Sequence, residues 1–240
     1  MRIRILGTLA LLALASGFAG PAGAIPALQL YIDGASWDTV TETWQVTAPT
    51  FDLWVIGDVG HYGTIFDVKL AVAYNTGDTG ALTLTGKRTT RIQDLSTPGN
   101  PAYQSFADGI APVTGDGSSL PGHGVYGVGH SFRKYFLGDF TSTDSKIGDF
   151  NGDLPFPTAF PDLGQINVYE VAVTGFTGGL HFDTYNHVAG RNGSEKYVTA
   201  PFSHDAGAST PEDVPEPGAL VLFGTVMIGA FGVGLRRRRR

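Results

Sequence analysis

Short runs of alternating apolar and polar residues, cut at close intervals by glycine and proline, set the limits on what this chain can fold into. In Leu28-Gln29-Leu30-Tyr31-Ile32, in Thr50-Phe51-Asp52-Leu53-Trp54-Val55 and from Phe66 to Tyr74, apolar residues recur at every second position. Side chains of an extended strand point alternately to two faces, so this period predicts strands with one buried face. Gly 34 and Pro 14 together make a fifth of the 240 residues, which leaves little room for long helices. The fold class expected is all-β, an antiparallel β-sandwich with a loop-rich insertion.

The pattern also suggests which strands are partners. Phe66–Tyr74 puts Phe66, Val68, Leu70 and Val72 on one face, and Asn75–Gly80 is a turn-rich link to Ala81–Thr85, so the two read as a hairpin. Gln165–Thr174 and Gly179–Tyr185, joined by Gly175-Phe176-Thr177-Gly178, read as a second pair. Residues 93–163 form the loop-rich insertion, broken by Pro98, Pro101, Pro112, Pro121, Pro155, Pro157 and Pro161. A short helix is expected there over Ser131–Leu137. The body is assigned to residues 25–206 and a polar linker to 207–213.

The ends follow a different logic. Arg2 and Arg4, the apolar run Ile5–Leu14 and the small residues ending in Ala22-Gly23-Ala24 have the three-part layout of a secretory signal peptide, residues 1–24. At the other end, Val214-Pro215-Glu216-Pro217 precedes eighteen uncharged residues, Gly218–Leu235, and then Arg236–Arg240. Eighteen residues of helix span about 27 Å, just enough for a single transmembrane segment. The arginine cluster would stay cytoplasmic.

Pro-Glu-Pro, one span and a terminal arginine run, in that order, resemble the PEP-CTERM sorting signal of Gram-negative bacteria. The resemblance covers residues 214–240. It implies an exosortase, a membrane-embedded transpeptidase-like protease, as processing partner, with Val214, Pro215, Glu216 and Pro217 as its substrate motif. The chain would then be exported to the cell envelope, surface or extracellular matrix. It would be held for a time in the inner membrane through 218–235, with its C-terminus in the cytoplasm.

Charge and cysteine content narrow the partners. Seven of the sixteen basic residues lie in the two end segments, where Glu216 is the only acid. Residues 25–214 therefore keep 9 Lys+Arg against 21 Asp+Glu, a net of −12. Such a body repels phosphate backbones, which argues against nucleic acid. With Cys 0, disulfides, thiolate metal sites and cysteine nucleophiles are excluded. The stretches PALQLYIDGASWD, FDLWVIG, LGDF, IGDF, GQINVYEVAVTG and APFSHDA resemble the exported bacterial family called choice-of-anchor N. That resemblance covers most of residues 25–206. It implies a surface protein and brings no catalytic residue.

Several clusters carry candidate chemistry. Asp149-Phe150-Asn151-Gly152-Asp153 offers oxygen ligands at alternate positions, and with Asp139 and Asp144 nearby it is a candidate calcium loop of Asp139, Asp149, Asn151 and Asp153. An EF-hand would need Gly and Glu where Leu154 and Phe160 stand, so that pattern fails; Asx-turns explain the same letters. His181, Asp183 and His187 are candidate zinc ligands on one strand face, His187 only if the strand runs past Asn186. Trp37, Trp44, Trp54 and Tyr31 are candidates for a sugar-stacking platform or for packed cross-strand pairs. Gly122–Gly127 fits G-x-G-x-x-G by letter but follows Pro121 in a glycine-rich loop, without the strand and helix that motif needs. Ser203-His204-Asp205 are chain neighbours and cannot converge as a triad.

The reading these features support is an exported, non-enzymatic surface protein sorted by an exosortase. The alternative is a polysaccharide-binding module of the envelope or biofilm matrix, and the third reading a hydrolase without a recognisable motif. No cofactor is called for; calcium is the one ion the Asp/Asn pattern suits.

Overall fold

The computed structural model describes residues 25–89, 98–122, 124–151, 162–190 and 192–209. The two end segments, 1–24 and 214–240, lie outside them, as does Asp153. The chain runs β1 (Leu28–Ile32), β2 (Ser36–Asp38), β3 (Thr43–Thr47), β4 (Thr50–Gly57), a single helical turn α1 (Val59–Tyr62), β5 (Ile65–Asn75), β6 (Ala81–Thr89), β7 (Tyr103–Phe106) and β8 (His130–Phe140). It continues with β9 (Ser145–Ile147), β10 (Asp162–Thr174), β11 (Gly179–Ala189), β12 (Glu195–Thr199), a 3-10 turn (Phe202–His204) and β13 (Asp205–Ser209).

Two sheets stack face to face. The smaller has the order β1-β4-β10-β6, with β9 pairing β10; the larger has the order β2-β3-β13-β11-β5-β8-β7, with β12 pairing β11. Pairing is antiparallel except between β13 and β3. The expected all-β sandwich is therefore the architecture. The core lies between the sheets. Leu28, Leu30, Ile32, Leu53, Val55, Tyr169 and Val171 of the first sheet meet Val68, Leu70, Val72, Tyr135, Phe182 and Ala206 of the second. Alternating positions on each strand supply these contacts, as sheet-on-sheet packing requires. The sheet runs to Ser209, three residues into the stretch read as linker. Among the described residues, no helix is long and apolar enough to cross a membrane.

Three sequence expectations are corrected. Neither predicted hairpin is one: β5 lies in the large sheet beside β11 and β8, while β6 pairs β10 in the small sheet. β10 and β11 likewise lie in different sheets. Both links are arches that cross from one sheet to the other. Alternation says that a strand has one apolar face, not whether the next strand lies beside it or across the core. The arches pack on one another, with Thr177 donating to Asp78 and with no room for a side chain at Gly80 against Phe176 or at Gly178 against Asn75.

The expected helix over Ser131–Leu137 is strand β8. Its two apolar sets face opposite ways, Tyr135 into the core and Phe132 under Tyr126 of the insertion. Burial on both faces removes the alternation that would mark a strand. Phe66, finally, is not on the core face. A bulge at Asp67, whose φ is 49°, lets Ile65 enter the core and stacks Phe66 on His187, centroids 5.4 Å apart.

The loop-rich insertion packs as two covers. In residues 141–151, β9 pairs β10 and brings Ile147, with Phe150 beyond it, onto Tyr31, Ile56, Ile166 and Val168 on the outer face of the small sheet. The lobe of residues 107–129 covers the outer face of the large sheet, with Leu120 and Tyr126 on Ala71 and Tyr185.

Candidate functional sites

The aromatic residues singled out in the sequence come together at the open edge between the sheets. Tyr31 alternates with the core residues of β1 and so points to the outer face. Its ring meets Trp44 at 5.0 Å, Trp54 at 5.4 Å and Phe150 at 5.6 Å, and Trp37 meets Trp44 at 5.2 Å. The tryptophan contacts of Tyr31 are edge-to-face, at 84° and 78°. This is the arrangement aromatic quadrupoles favour in packing. Arg88 stands over the Trp54 ring at 5.6 Å. The rings thus form a packed cluster with partly exposed tryptophans rather than a coplanar platform.

Phe150 reaches this cluster because its backbone is held. Gln29, wholly buried beside Tyr31, donates to Gly148 O (2.9 Å) and accepts from Phe150 N (2.8 Å). The Trp44 indole donates to Phe150 O at 2.8 Å. Gln165 Oε1 accepts from Thr141 N and Ser142 N at the start of the same segment. Neither glutamine stands out in the sequence, where each occupies an ordinary polar position in an alternating strand.

The candidate calcium residues that the structure describes have other partners. Asp139 accepts from the backbone of Asp67 at the β5 bulge, 2.6 Å. Asp149 accepts from Asn151 Nδ2 at 3.1 Å and bonds His204 Nε2. Asp153 lies outside the described residues, and of the other three Asp149 and Asn151 are bonded to one another. His204 also bonds Ser203 Oγ through Nδ1 at 2.9 Å, which gives a Ser203–His204–Asp149 chain in place of the sequence neighbours Ser203-His204-Asp205. A Ser–His–Asp hydrolase presents Nε2 to the serine and Nδ1 to the acid, the reverse of this order. Here the chain ties segment 141–151 to the 3-10 turn.

The zinc candidates share a face, since β11 does run past Asn186 to Ala189. At roughly 3.3 Å per residue, however, His187 stands about 20 Å along the strand from His181, and ligands of one zinc ion must all lie within roughly 2.2 Å of it. His187 packs instead on Phe66 and Tyr197. No group of three or more His, Asp or Glu side chains among the described residues is arranged to hold a metal ion.

What Asp183 does meet is a second carboxyl group. β11 pairs β13 with His181 opposite Gly207 and Phe182 opposite Ala206, so the next step sets Asp183 opposite Asp205. Both are wholly buried. Tyr126 OH donates to Asp183 Oδ2 at 3.1 Å. Burial pushes Asp183 up to about 7. Asp205 is raised well above the carboxylate range, by burial first and by the charge of Asp183 second. Burial and the two aspartates also push the Tyr126 phenol up. His181 Nε2 is 3.8 Å from Asp205 Oδ2, outside hydrogen-bond range. His181 also borders a cleft of about 270 Å³, lined by Thr43, Gln45, Val125 and His130 among others. Sequence reasoning did not bring Asp205 or Tyr126 to Asp183, because the first meeting depends on the β11–β13 register and the second on where the lobe of residues 107–129 packs.

Comparison with known proteins adds one firm assignment. Residues 213–239 match the PEP-CTERM protein-sorting motif. No curated protein matches the chain. Among solved structures, it is similar to AvmM, which catalyzes macrocyclization in alchivemycin A biosynthesis, at 9% identity and TM-score 0.30, over 79% of this chain and 93% of that one. A family 3b carbohydrate-binding module of a Bacteroides cellulosolvens scaffoldin aligns at 9% identity and TM-score 0.30, over 80% and 100%. A family IIIA cellulose-binding domain from Clostridium cellulolyticum aligns at 9% identity and TM-score 0.29, over 78% and 99%. Likenesses this distant carry no weight for function.

Proposed function

We propose that this chain is an exported, non-enzymatic surface protein, delivered by an exosortase that recognises its C-terminal motif. The observation that carries the reading is the sorting motif over residues 213–239, which begins just after the last strand of the sandwich. Proline fixes its own φ and biases the residue before it towards extended geometry. Val214 and Glu216 each precede a proline, so the segment is disposed to the strand-like form that a peptidase can grip. Gly218, Gly224, Gly229, Gly232 and Gly234 weaken the following span as a helix and leave small surfaces for another helix to approach. The tail is a removable address, and the body is released to the envelope, surface or matrix. The test is a tag placed after Arg240 in a host with an exosortase. The mature protein is expected to lose it. Changing Pro215-Glu216-Pro217 to alanines should retain both the tag and the inner-membrane location. Export of wild-type body with the tag still attached would identify an ordinary anchor.

A second reading, polysaccharide binding, is favoured by the gathering of Trp37, Trp44, Trp54 and Tyr31 at one edge, with the three tryptophans partly exposed. Polysaccharide pull-down by wild type, lost in Trp37→Ala with an unchanged melting temperature, would support it. Absence of pull-down by wild type would reject it. Turnover of the polysaccharide by purified protein would replace both readings with the hydrolase.

A further inference from the structure

The cleft of about 270 Å³ on the large sheet is used neither by sorting nor by the tryptophan edge. It sits where three strands have their ends, Asn75 closing β5, His130 opening β8 and Gly179 opening β11. The pairing registers set Gln45, Gly207, His181 and Ala73 in one row across β3, β13, β11 and β5. The floor is low because Ala73, Gly179 and Gly207 bring little or no side chain. A Cβ at Gly207 would stand 2.4–2.7 Å from the amide atoms of Gln45, so that amide lies flat against the sheet. Val125 adds a wall from the lobe of residues 107–129.

The lining says what kind of molecule fits. None of the described residues that line the cleft is Lys, Arg, Asp or Glu. An anion calls for donors and a cation for acceptors, whereas Thr41, Thr43, Gln45, Asn75 and His130 each offer both roles. A hydroxyl group, which donates and accepts, is their complement. The body's net charge of −12 further disfavours an anion. Part of the wall is set in advance, since Gln45 Nε2 donates to Thr43 Oγ1 at 2.6 Å and the Thr41 and Thr43 hydroxyls bond at 2.7 Å. Nδ1 of His130 is buried and meets no hydrogen-bond partner among the described residues, so no bond at that nitrogen fixes the ring. Val125 and Ala73 give apolar surface for carbon-bound hydrogens. The volume lies at the small end of the roughly 300–1,000 Å³ range of ligand pockets, which suits one ring rather than a length of polymer.

We propose that this cleft binds a single neutral sugar ring, with its hydroxyl groups on His130, Asn75 and Gln45 and its apolar face against Val125 and Ala73. The site does not rest on the tryptophan edge. On β3, Thr43 and Gln45 face the cleft, while Trp44 between them faces Tyr31 and Phe150 on the other side of the strand. Loss of either site therefore leaves the other standing. Gly179 offers a way to fill the cleft without disturbing the sheet. Leu180 points into the core, so a side chain at Gly179 would point outward, beside His181. Its φ is not in the left-handed region, and an added Cβ would meet only Ala208 O, at an ordinary contact distance of 3.8 Å.

The test uses the full-length chain with labelled histidines, in a detergent that has no sugar headgroup. Glucose, galactose, mannose and N-acetylglucosamine are titrated into the tens of millimolar, with glucuronate as the charged control, and the imidazole resonances of His130 are followed by NMR. At least one of the four neutral sugars should move the His130 signals to saturation, and glucuronate should bind more weakly. Gly179→Leu should abolish the response with the melting temperature unchanged. Gln45→Leu should weaken binding by about three- to tenfold, the worth of one hydrogen bond. Trp37→Ala should leave the affinity as it is, whatever it does to polysaccharide pull-down. His130 signals that none of the four sugars moves would overturn the proposal. So would glucuronate binding as tightly as the neutral sugars, saturable binding that survives in folded Gly179→Leu, or a His130 response lost in Trp37→Ala. Should Gly179→Leu not fold, Gln45→Leu decides, and an unchanged affinity there would overturn the proposal.

Discussion

Replacing Gln29 by methionine isolates the restraint that presents Phe150 to the aromatic cluster. Methionine keeps an unbranched side chain of nearly the same volume, so little packing is lost. It removes one donor and one acceptor together, leaving the Gly148 carbonyl and the Phe150 amide without their glutamine partner, bonds of 2.9 and 2.8 Å. Each orphaned buried group costs roughly 1–3 kcal/mol, and burying a thioether in place of an amide offsets part of the sum. The net expected is about 3 kcal/mol. For a domain of this size each kcal/mol lowers the melting temperature by roughly 2–4 °C, so calorimetry should show a fall of about 6–12 °C. Tryptophan fluorescence should change as well, because Trp44 bonds Phe150 O and Trp54 packs on the Phe150 ring. Gln104→Met, on the exposed face of β7, is the control and should stay within about 0.5 kcal/mol of wild type. If Gln29→Met does no more than that control, the glutamine clamp is not what holds this segment.

Two further substitutions test backbone placement. Gly86→Ala would put a Cβ 1.7 Å from the Pro98 carbonyl oxygen, so β6 or the segment at 98–100 must move; a loss of about 2–3 kcal/mol in chemical denaturation is expected. Glu42 is exposed at φ 52°, where a side chain costs roughly 1–2 kcal/mol and glycine does not. After the entropy glycine loses on folding, Glu42→Gly should stabilise by about 0.5 kcal/mol, read as a small rise in denaturation midpoint.

The sequence carried the strands well and their partners poorly. Leu28–Ile32 and Thr50–Val55 are strands as their alternation says, because each has one face in the core and one outside. β8 escaped notice because its buried aromatics, Phe132 under the lobe and Tyr135 in the core, lie on opposite faces three residues apart. The arches at 75–80 and 175–178 read as hairpins because periodicity is blind to which sheet a strand joins. The aromatic set was legible as residues, and the structure brings it together. Asp183 was noticed beside His181 and His187, its neighbours on one strand face, but its partner is Asp205 on the adjacent strand. No local pattern announces a cross-strand acid pair, since each aspartate looks like a solvated polar position until the lobe covers it.

The central claim is that the C-terminal segment is an address to be removed. Intact-mass measurement of the mature protein, recovered from the envelope or medium of an exosortase-bearing host, tests it most directly. The account predicts an N-terminus at Ile25 and a chain that lacks Gly218–Leu235 and Arg236–Arg240, with its new end at or near Pro215-Glu216-Pro217. A mature chain that still ends at Arg240 would contradict it.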